Sequence, residues 1–199
     1  MVSSKLKKQF EEIAKKLVLP LGRIGVSPNH LTVIGFLLSV AAGYSLMTWQ
    51  QGQERLIIGG ILIIVSGFID ALDGVLARSS GKVTRFGGFF DSVADRYSDS
   101  VVLAGLIMGG LCDALIGLFA LIGSIMVSYS RSRAEAEGVK MAGVGLAERA
   151  ERMIFLALCA ILSYWWYTVM NWSVLILGIL SHLTVIQRAL YFKKIVEKN

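Results

Sequence analysis

Leu56 to Gly109 reads LIIGGILIIVSGFIDALDGVLARSSGKVTRFGGFFDSVADRYSDSVVLAGLIMG, and this stretch decides the fold. Two apolar runs, each near the roughly 20 residues that cross a bilayer as a helix, flank a short polar link that holds Arg78, Lys82 and Arg85. Inside the runs stand five carboxylates: Asp70, Asp73, Asp91, Asp95 and Asp99. An ionised carboxylate near the bilayer centre costs roughly 2.5–3.5 kcal/mol on insertion scales, so five of them need partners. Asp70 and Asp73 are spaced i,i+3, and Asp91, Asp95 and Asp99 follow at i+4 steps, so each set projects from one helix face. A short link can bring the two faces together. Converging carboxylates repel unless divalent cations lie between them, and all-oxygen donors favour Mg²⁺ or Mn²⁺.

The rest of the chain fits that start. Of 199 residues, 55% are hydrophobic and 17% charged, with two prolines, whereas a soluble domain has about 45–50% apolar and about 25% charged residues. This composition excludes disorder, a collagen-like fibre and a disulfide-stapled module. The expected fold class is an all-α integral membrane protein forming one domain over 1–199. Six transmembrane helices are predicted, near 31–49, 56–77, 86–109, 111–129, 152–170 and 173–191. A juxtamembrane amphipathic helix at 3–19 precedes them, with Phe10, Ile13, Ala14, Leu17 and Val18 on one face and Lys5, Lys7, Lys8, Lys15 and Lys16 on the other. That pattern suits an anionic membrane surface. Pro20 is expected to end this helix, and Ser27-Pro28-Asn29 to make a turn before the first span. The long charged segment ahead of the first apolar run argues against a cleaved signal peptide.

Eighteen of the twenty Lys and Arg fall on one side of these spans, leaving Arg55 on the other and Arg96 within a span. The positive-inside rule then places both termini and the acidic site in the cytoplasm of a multi-pass cell-membrane protein. Trp49, Trp165, Trp166 and Trp172 mark the opposite ends, where indoles prefer the interface. The net charge of +6 is thereby accounted for by orientation, and no nucleic-acid partner is expected. Cys112 and Cys159 lie in apolar runs without a CxxC partner and read as small buried hydrophobes.

The residues between the acids add chemistry. Gly74 follows Asp73, and Gly87 precedes Asp91 by one turn; missing side chains there let a ligand approach the backbone. Arg78, one turn after Gly74, suits phosphate oxygens. Together these point to a phosphodiester or diphosphate substrate and in-line displacement at phosphorus. The carboxylates alone leave another class open, a cation transporter using the intramembrane acid cluster, and glycines at such spacing also serve plain helix packing.

Read as one string, Asp70-x2-Asp73-Gly74-x2-Ala77-Arg78-x8-Gly87-x3-Asp91-x3-Asp95 resembles the full signature of the CDP-alcohol phosphotransferases, membrane enzymes of phospholipid synthesis. The resemblance covers essentially the whole chain, including the six-helix core. It implies a centre of two Mg²⁺ or Mn²⁺ ions on Asp70, Asp73, Asp91 and Asp95, with Asp95 as general base. It implies a CDP-lipid site at Gly74, Ala77, Arg78, Thr84 and Gly87, with Asn29 and Thr32 at the entrance beside the cytidine. His30 and His182 read as a polar loop residue and a hydrogen-bonded helix residue. Homodimers occur in the family, so a homodimer among membrane lipids is expected.

Two patterns bear on the acceptor. Asp91-Ser92-Val93-Ala94-Asp95-Arg96 resembles the DSxxDR form of the family's inositol-phosphate enzymes, where glycerol-phosphate enzymes more often read DPxADK. Ser128-Tyr129-Ser130-Arg131-Ser132-Arg133-Ala134-Glu135 and Glu148-Arg149-Ala150-Glu151-Arg152 are similar to stretches of the phosphatidylinositol phosphate and archaetidylinositol phosphate synthases, as is Gln187-Arg188. The resemblance implies that Ser128, Arg131, Arg149, Arg152 and Arg188 hold the phosphate of inositol 1-phosphate. Physically, Arg131, Arg152 and Arg188 lie near the inner ends of three spans, and a dianionic phosphate needs such a cage. The donor could be CDP-archaeol or CDP-diacylglycerol, and glycerol 3-phosphate is the alternative acceptor.

Overall fold

Seven α-helices make up the computed structural model, which describes residues 2–146 and 148–197. They are α1 (Val2–Arg23), α2 (Pro28–Met47), α3 (Glu54–Ser79), α4 (Arg85–Met108), α5 (Ala114–Ala136), α6 (Arg149–Leu162) and α7 (Thr168–Val196), with one 3₁₀ turn at Trp49–Gln51. Four of them, α2, α3, α5 and α7, are long and apolar enough to cross a membrane. The other two predicted spans correspond to α4, which carries Asp91, Asp95, Arg96 and Asp99, and to α6, which has only 14 residues.

Each boundary has a local cause. Ser27 caps α2: its hydroxyl accepts from His30 N at 3.3 Å, and Pro28 occupies the first turn, where a missing N–H is harmless. His30, expected as a polar loop residue, completes the capping box by accepting from Ser27 N at 3.3 Å through Nδ1. Thr84 caps α4 by accepting from Gly87 N at 2.9 Å, and Asp113 caps α5 by accepting from Leu115 N at 2.8 Å.

α2 packs along both α3 and α4, α5 along α7, and α3 along α6, while α1 lies on α3. The main core gathers Leu46, Leu56, Leu103, Leu106, Leu156, Met170 and Leu177. Glycine makes the α2–α4 crossing possible: a Cβ at Gly105 would stand 2.3 Å from the carbonyl oxygen of Gly43. Ser66 Oγ ties α3 to α2 by donating to Gly35 O at 2.8 Å and lying 2.7 Å from Ser39 Oγ.

Two predicted boundaries are corrected. Pro20 does not end the first helix, which runs on to Arg23. Proline gives up one hydrogen bond within a helix, but Ala14 and Val18 are buried against Leu72, Val75 and Leu76, and this packing carries the helix through. The chain turns only at Gly25, φ 92°. The side chains of Lys5, Lys7, Lys8 and Phe10 lie outside the described residues. The predicted span 152–170 ends early, at Leu162, because the turn falls at 163–167 instead of after 170. Ser163 Oγ donates to Cys159 O at 2.7 Å, and the aromatic run Tyr164-Trp165-Trp166-Tyr167, included in the predicted span, forms the turn itself. Trp49 stacks on Tyr167 at 6.1 Å, and Asp113 N donates to Asn171 Oδ1 at 2.8 Å, so the tryptophan-bearing turns share one end of the bundle. Cys112 and Cys159 are buried free thiols.

Candidate active site

The acidic faces of α3 and α4 meet at the end of the bundle opposite the tryptophans. Among the described residues, Asp70, Asp91 and Asp95 each offer a carboxylate oxygen, all within 4.8 Å of one another. Three hard oxygen donors this close suit a small divalent cation. Asp95 Oδ1 is buried among them, with a guanidinium 2.7 Å away as its charge partner. Asp73 is not one of this trio but neighbours Asp70 and Asp91. It is 6% exposed, and its Oδ2 accepts from Thr32 Oγ1 on α2 at 2.6 Å. The structure thus joins two residues that the resemblance assigns to different subsites.

Arg149, the first residue of α6, neutralises part of the acid cluster. Its Nη1 donates to Asp70 Oδ2 at 2.9 Å and lies 2.7 Å from Asp95 Oδ1, and its Nε donates to Asp99 Oδ1 at 3.0 Å. Arg96 adds a second positive charge, 3.4 Å from Asp95 Oδ2. One guanidinium therefore links three carboxylates from two helices to a third helix.

Beside the acids opens a cavity of about 610 Å³ lined by Asp70, Asp95, Asp99, Ser128, Arg131, Arg149, Arg152 and Arg188, among others. All five residues expected to hold the acceptor phosphate are here. Arg152 is 3% exposed; its Nη1 donates to Ser124 Oγ at 2.8 Å and Ser181 Oγ at 3.3 Å, and its Nε has no partner among the described residues. A buried guanidinium with a spare donor is costly without an anionic ligand. Arg188 Nε donates to Val144 O at 2.9 Å and its Nη1 to Val127 O, so Val144, in the loop after α5, is tied to the cavity rim. Arg131 Nε is paired with Glu135 at 2.9 Å.

The residues expected to bind nucleotide do not line this cavity; they flank the acids around the α3–α4 link. A Cβ at Gly74 would lie 3.2 Å from Arg78 Nη1, and one at Gly87 would lie 3.0 Å from Thr84 Oγ1 and 3.5 Å from Asn29 Oδ1. Asn29, Thr84 and Gly87 thus cluster across the two helix starts. Ala77 sits one residue before Arg78, whose guanidinium is half exposed and 3.4 Å from Glu11 of α1. His182 stands apart from all of this, stacked on Phe119 at 4.2 Å and hydrogen-bonded to its carbonyl oxygen at 3.1 Å.

Sequence reasoning left Asp99, Ser124, Ser181 and Glu11 without roles. The first two carried a readable signal: Asp99 is one turn beyond Asp95, and Ser124 one turn before Ser128. Glu11 and Ser181 carried none, because their partners come from distant elements.

Comparison with known proteins shows the family. The CDP-alcohol phosphatidyltransferase family matches residues 25–186. The chain is 41% identical over 196 residues to the archaetidylinositol phosphate synthase of Pyrococcus horikoshii, covering 98% of this chain and 97% of that one. It is 34% identical over 190 residues to the phosphatidylinositol phosphate synthase of Mycobacteroides abscessus, covering 90% and 83%. The crystal structure of the Mycobacterium tuberculosis phosphatidylinositol phosphate synthase with CDP-DAG bound superposes with a TM-score of 0.79 at 30% identity, covering 91% of this chain and 94% of that one. The same enzyme in complex with manganese and citrate gives 0.78 at 30% identity, covering 90% and 88%. With the signature in place on α3 and α4, this chain belongs to the CDP-alcohol phosphatidyltransferase family and is a multi-pass membrane transferase of phospholipid synthesis.

Proposed function

We propose that the protein transfers the lipid phosphoryl group of a CDP-lipid, CDP-archaeol or CDP-diacylglycerol, to L-myo-inositol 1-phosphate and releases CMP. The observation that carries this reading is the single cavity in which the acidic trio's Asp70 and Asp95 face Ser128, Arg131, Arg149, Arg152 and Arg188. An acceptor with its own phosphate brings the charge such a cage compensates, whereas serine or choline would leave the spare Nε donor of Arg152 without an anion. That the relatives are archaetidylinositol phosphate and phosphatidylinositol phosphate synthases supports an inositol phosphate acceptor. The transporter alternative gives this arginine-lined cavity no task.

Asp70, Asp73, Asp91 and Asp95 would hold two Mg²⁺ or Mn²⁺ ions, which, when bound, supply Lewis-acid stabilisation of the phosphoryl oxygens. Arg152, Arg188 and Arg131, with Ser128, orient the acceptor by its phosphate. Asp95 takes the proton from the attacking inositol hydroxyl at the carboxylate. The hydroxyl oxygen forms its bond to the β-phosphorus as the bond to CMP breaks, and CMP leaves with the electron pair. Gly74, Ala77, Arg78, Thr84, Gly87, Asn29 and Thr32 hold the cytidine diphosphate on the opposite side of the acids.

In this reading α4 and α6 also cross the membrane, giving one domain of six spans with both termini and the cavity cytoplasmic, α1 on the inner surface, and a homodimer as the working unit. The test is Arg152→Gln. Loss of one charge-assisted contact, about 1.5–3 kcal/mol, should raise KM for inositol 1-phosphate by one to two orders of magnitude while CDP-lipid binding stays near wild type. Unchanged acceptor KM in this variant contradicts the phosphate cage.

A further inference from the structure

Asp99 occupies no position of the signature, yet it is buried, 7% exposed, and it accepts the Nε–H of Arg149 at 3.0 Å. The same guanidinium reaches Asp70 Oδ2 at 2.9 Å and Asp95 Oδ1 at 2.7 Å through Nη1. Asp70 and Asp95 belong to the carboxylate trio that spans 4.8 Å, so Arg149 engages two of the three groups a divalent cation would need. A guanidinium has only donors, so it competes with a cation for the lone pairs of those carboxylates, and the two positive charges repel at close range. Arg149 also lines the cavity with Arg152 and Arg188. Displaced from Asp70 and Asp95, its fork stays among groups suited to a phosphate. The Asp99 bond is made through Nε, not Nη1, and so retains the side chain at the cavity.

We propose that Arg149, retained by Asp99, is an internal competitor of the divalent cation for Asp70 and Asp95, and that cation binding turns it toward the acceptor's phosphate, so that cation and acceptor bind cooperatively. The proposal deepens the reading above and rests on it. Arg149 is thereby a positioning residue that couples two subsites. Linkage makes the coupling reciprocal, with five- to hundredfold effects being usual.

The test uses the full-length protein in detergent, without lipid substrate. Free Mn²⁺ is followed by electron paramagnetic resonance, and inorganic phosphate binding by calorimetry. Arg149→Gln should bind Mn²⁺ about tenfold more tightly than wild type, a direction that loss of a merely structural residue would not produce. Arg149→Lys, which keeps a cation, should return Mn²⁺ affinity toward wild type. In wild type, phosphate should bind more tightly with Mn²⁺ than without, and Arg149→Gln should lose most of that gain. Equal or weaker Mn²⁺ binding by Arg149→Gln overturns the competition. Should that variant fail to fold, phosphate binding by wild type that is indifferent to Mn²⁺ overturns it equally. Asp91→Asn, whose carboxylate lies in the trio, separates the two levels: if it leaves Mn²⁺ binding intact, the carboxylate centre itself is misassigned and the proposal falls with it, whereas loss of Mn²⁺ binding there with no effect at Arg149 overturns Arg149's part alone.

Discussion

Asp95 Oδ1 is buried, faces Arg149 Nη1 at 2.7 Å and accepts no hydrogen bond among the described residues. In the proposed reaction this carboxylate takes the hydroxyl proton. Asp95→Asn keeps the shape and removes the base, and CMP release should fall by about 10²–10⁴-fold, the usual contribution of general-base catalysis; a rate within tenfold of wild type would remove Asp95 from that role. Asp73 asks for a different experiment. Its Oδ2 accepts from Thr32 Oγ1 at 2.6 Å across the α2–α3 contact, so Thr32→Val leaves a buried carboxylate without its donor, a loss of about 1–3 kcal/mol. A lower melting temperature together with reduced turnover is expected, and thermal denaturation in detergent reads the first. The acids were legible at this scale because a bilayer makes each one expensive and their i+3 and i+4 spacing names the face. Arg149 was legible only as a phosphate ligand. That it bridges Asp70, Asp95 and Asp99 depends on α6 lying against α3, which no local spacing encodes.

At the scale of elements, helix existence followed from apolar runs, and helix ends followed from chemistry that runs do not show. α5 continues through Arg131 and Arg133 to Ala136 because charged residues propagate a helix as well as apolar ones once it has left the apolar layer. α1 passes through Pro20 because tertiary burial of Ala14 and Val18 outweighs one lost hydrogen bond. The α6–α7 turn was misplaced since four successive aromatic residues, Tyr164 to Tyr167, count as apolar yet prefer an interface and bend there. The α2–α4 crossing supplies a sharp prediction. A Cβ at Gly105 meets backbone, the Gly43 carbonyl oxygen at 2.3 Å, and no side chain can move to relieve it. Gly105→Ala should therefore destabilise by about 1–3 kcal/mol or more, with activity lost in parallel because α4 carries Asp91 and Asp95. A variant as stable as wild type would show that the two helices separate freely.

The whole molecule is organised by its two ends. Trp49, Trp165, Trp166 and Trp172 gather at one, with Trp49 donating to Gly109 O at 2.8 Å. The acids, the arginine-lined cavity and the α3–α4 link lie at the other. The excess of Lys and Arg predicts that this second end faces the cytoplasm. Cysteines placed at Glu12, Lys82 and Lys193 should react with an impermeant maleimide from the cytoplasmic side only, and one at Gln51 from the outside only; mixed labelling would contradict the orientation. The two-ended plan was visible in the amino-acid sequence, since charge and indole patterning both report on the membrane. The arginine cage was expected too, from charges at the inner ends of three spans; the cavity's walls were not, because α2, α3, α4, α5, α6 and α7 all contribute to them.

Acceptor choice is read by CMP release from the purified protein in mixed micelles. CDP-archaeol and CDP-diacylglycerol are offered as donors, with Mg²⁺ or Mn²⁺, and inositol 1-phosphate, free inositol and glycerol 3-phosphate as acceptors. Metal-dependent CMP release is expected with inositol 1-phosphate, lost on chelation and at least about tenfold faster than with either other acceptor. Release driven by glycerol 3-phosphate, with inositol 1-phosphate inert, would contradict it.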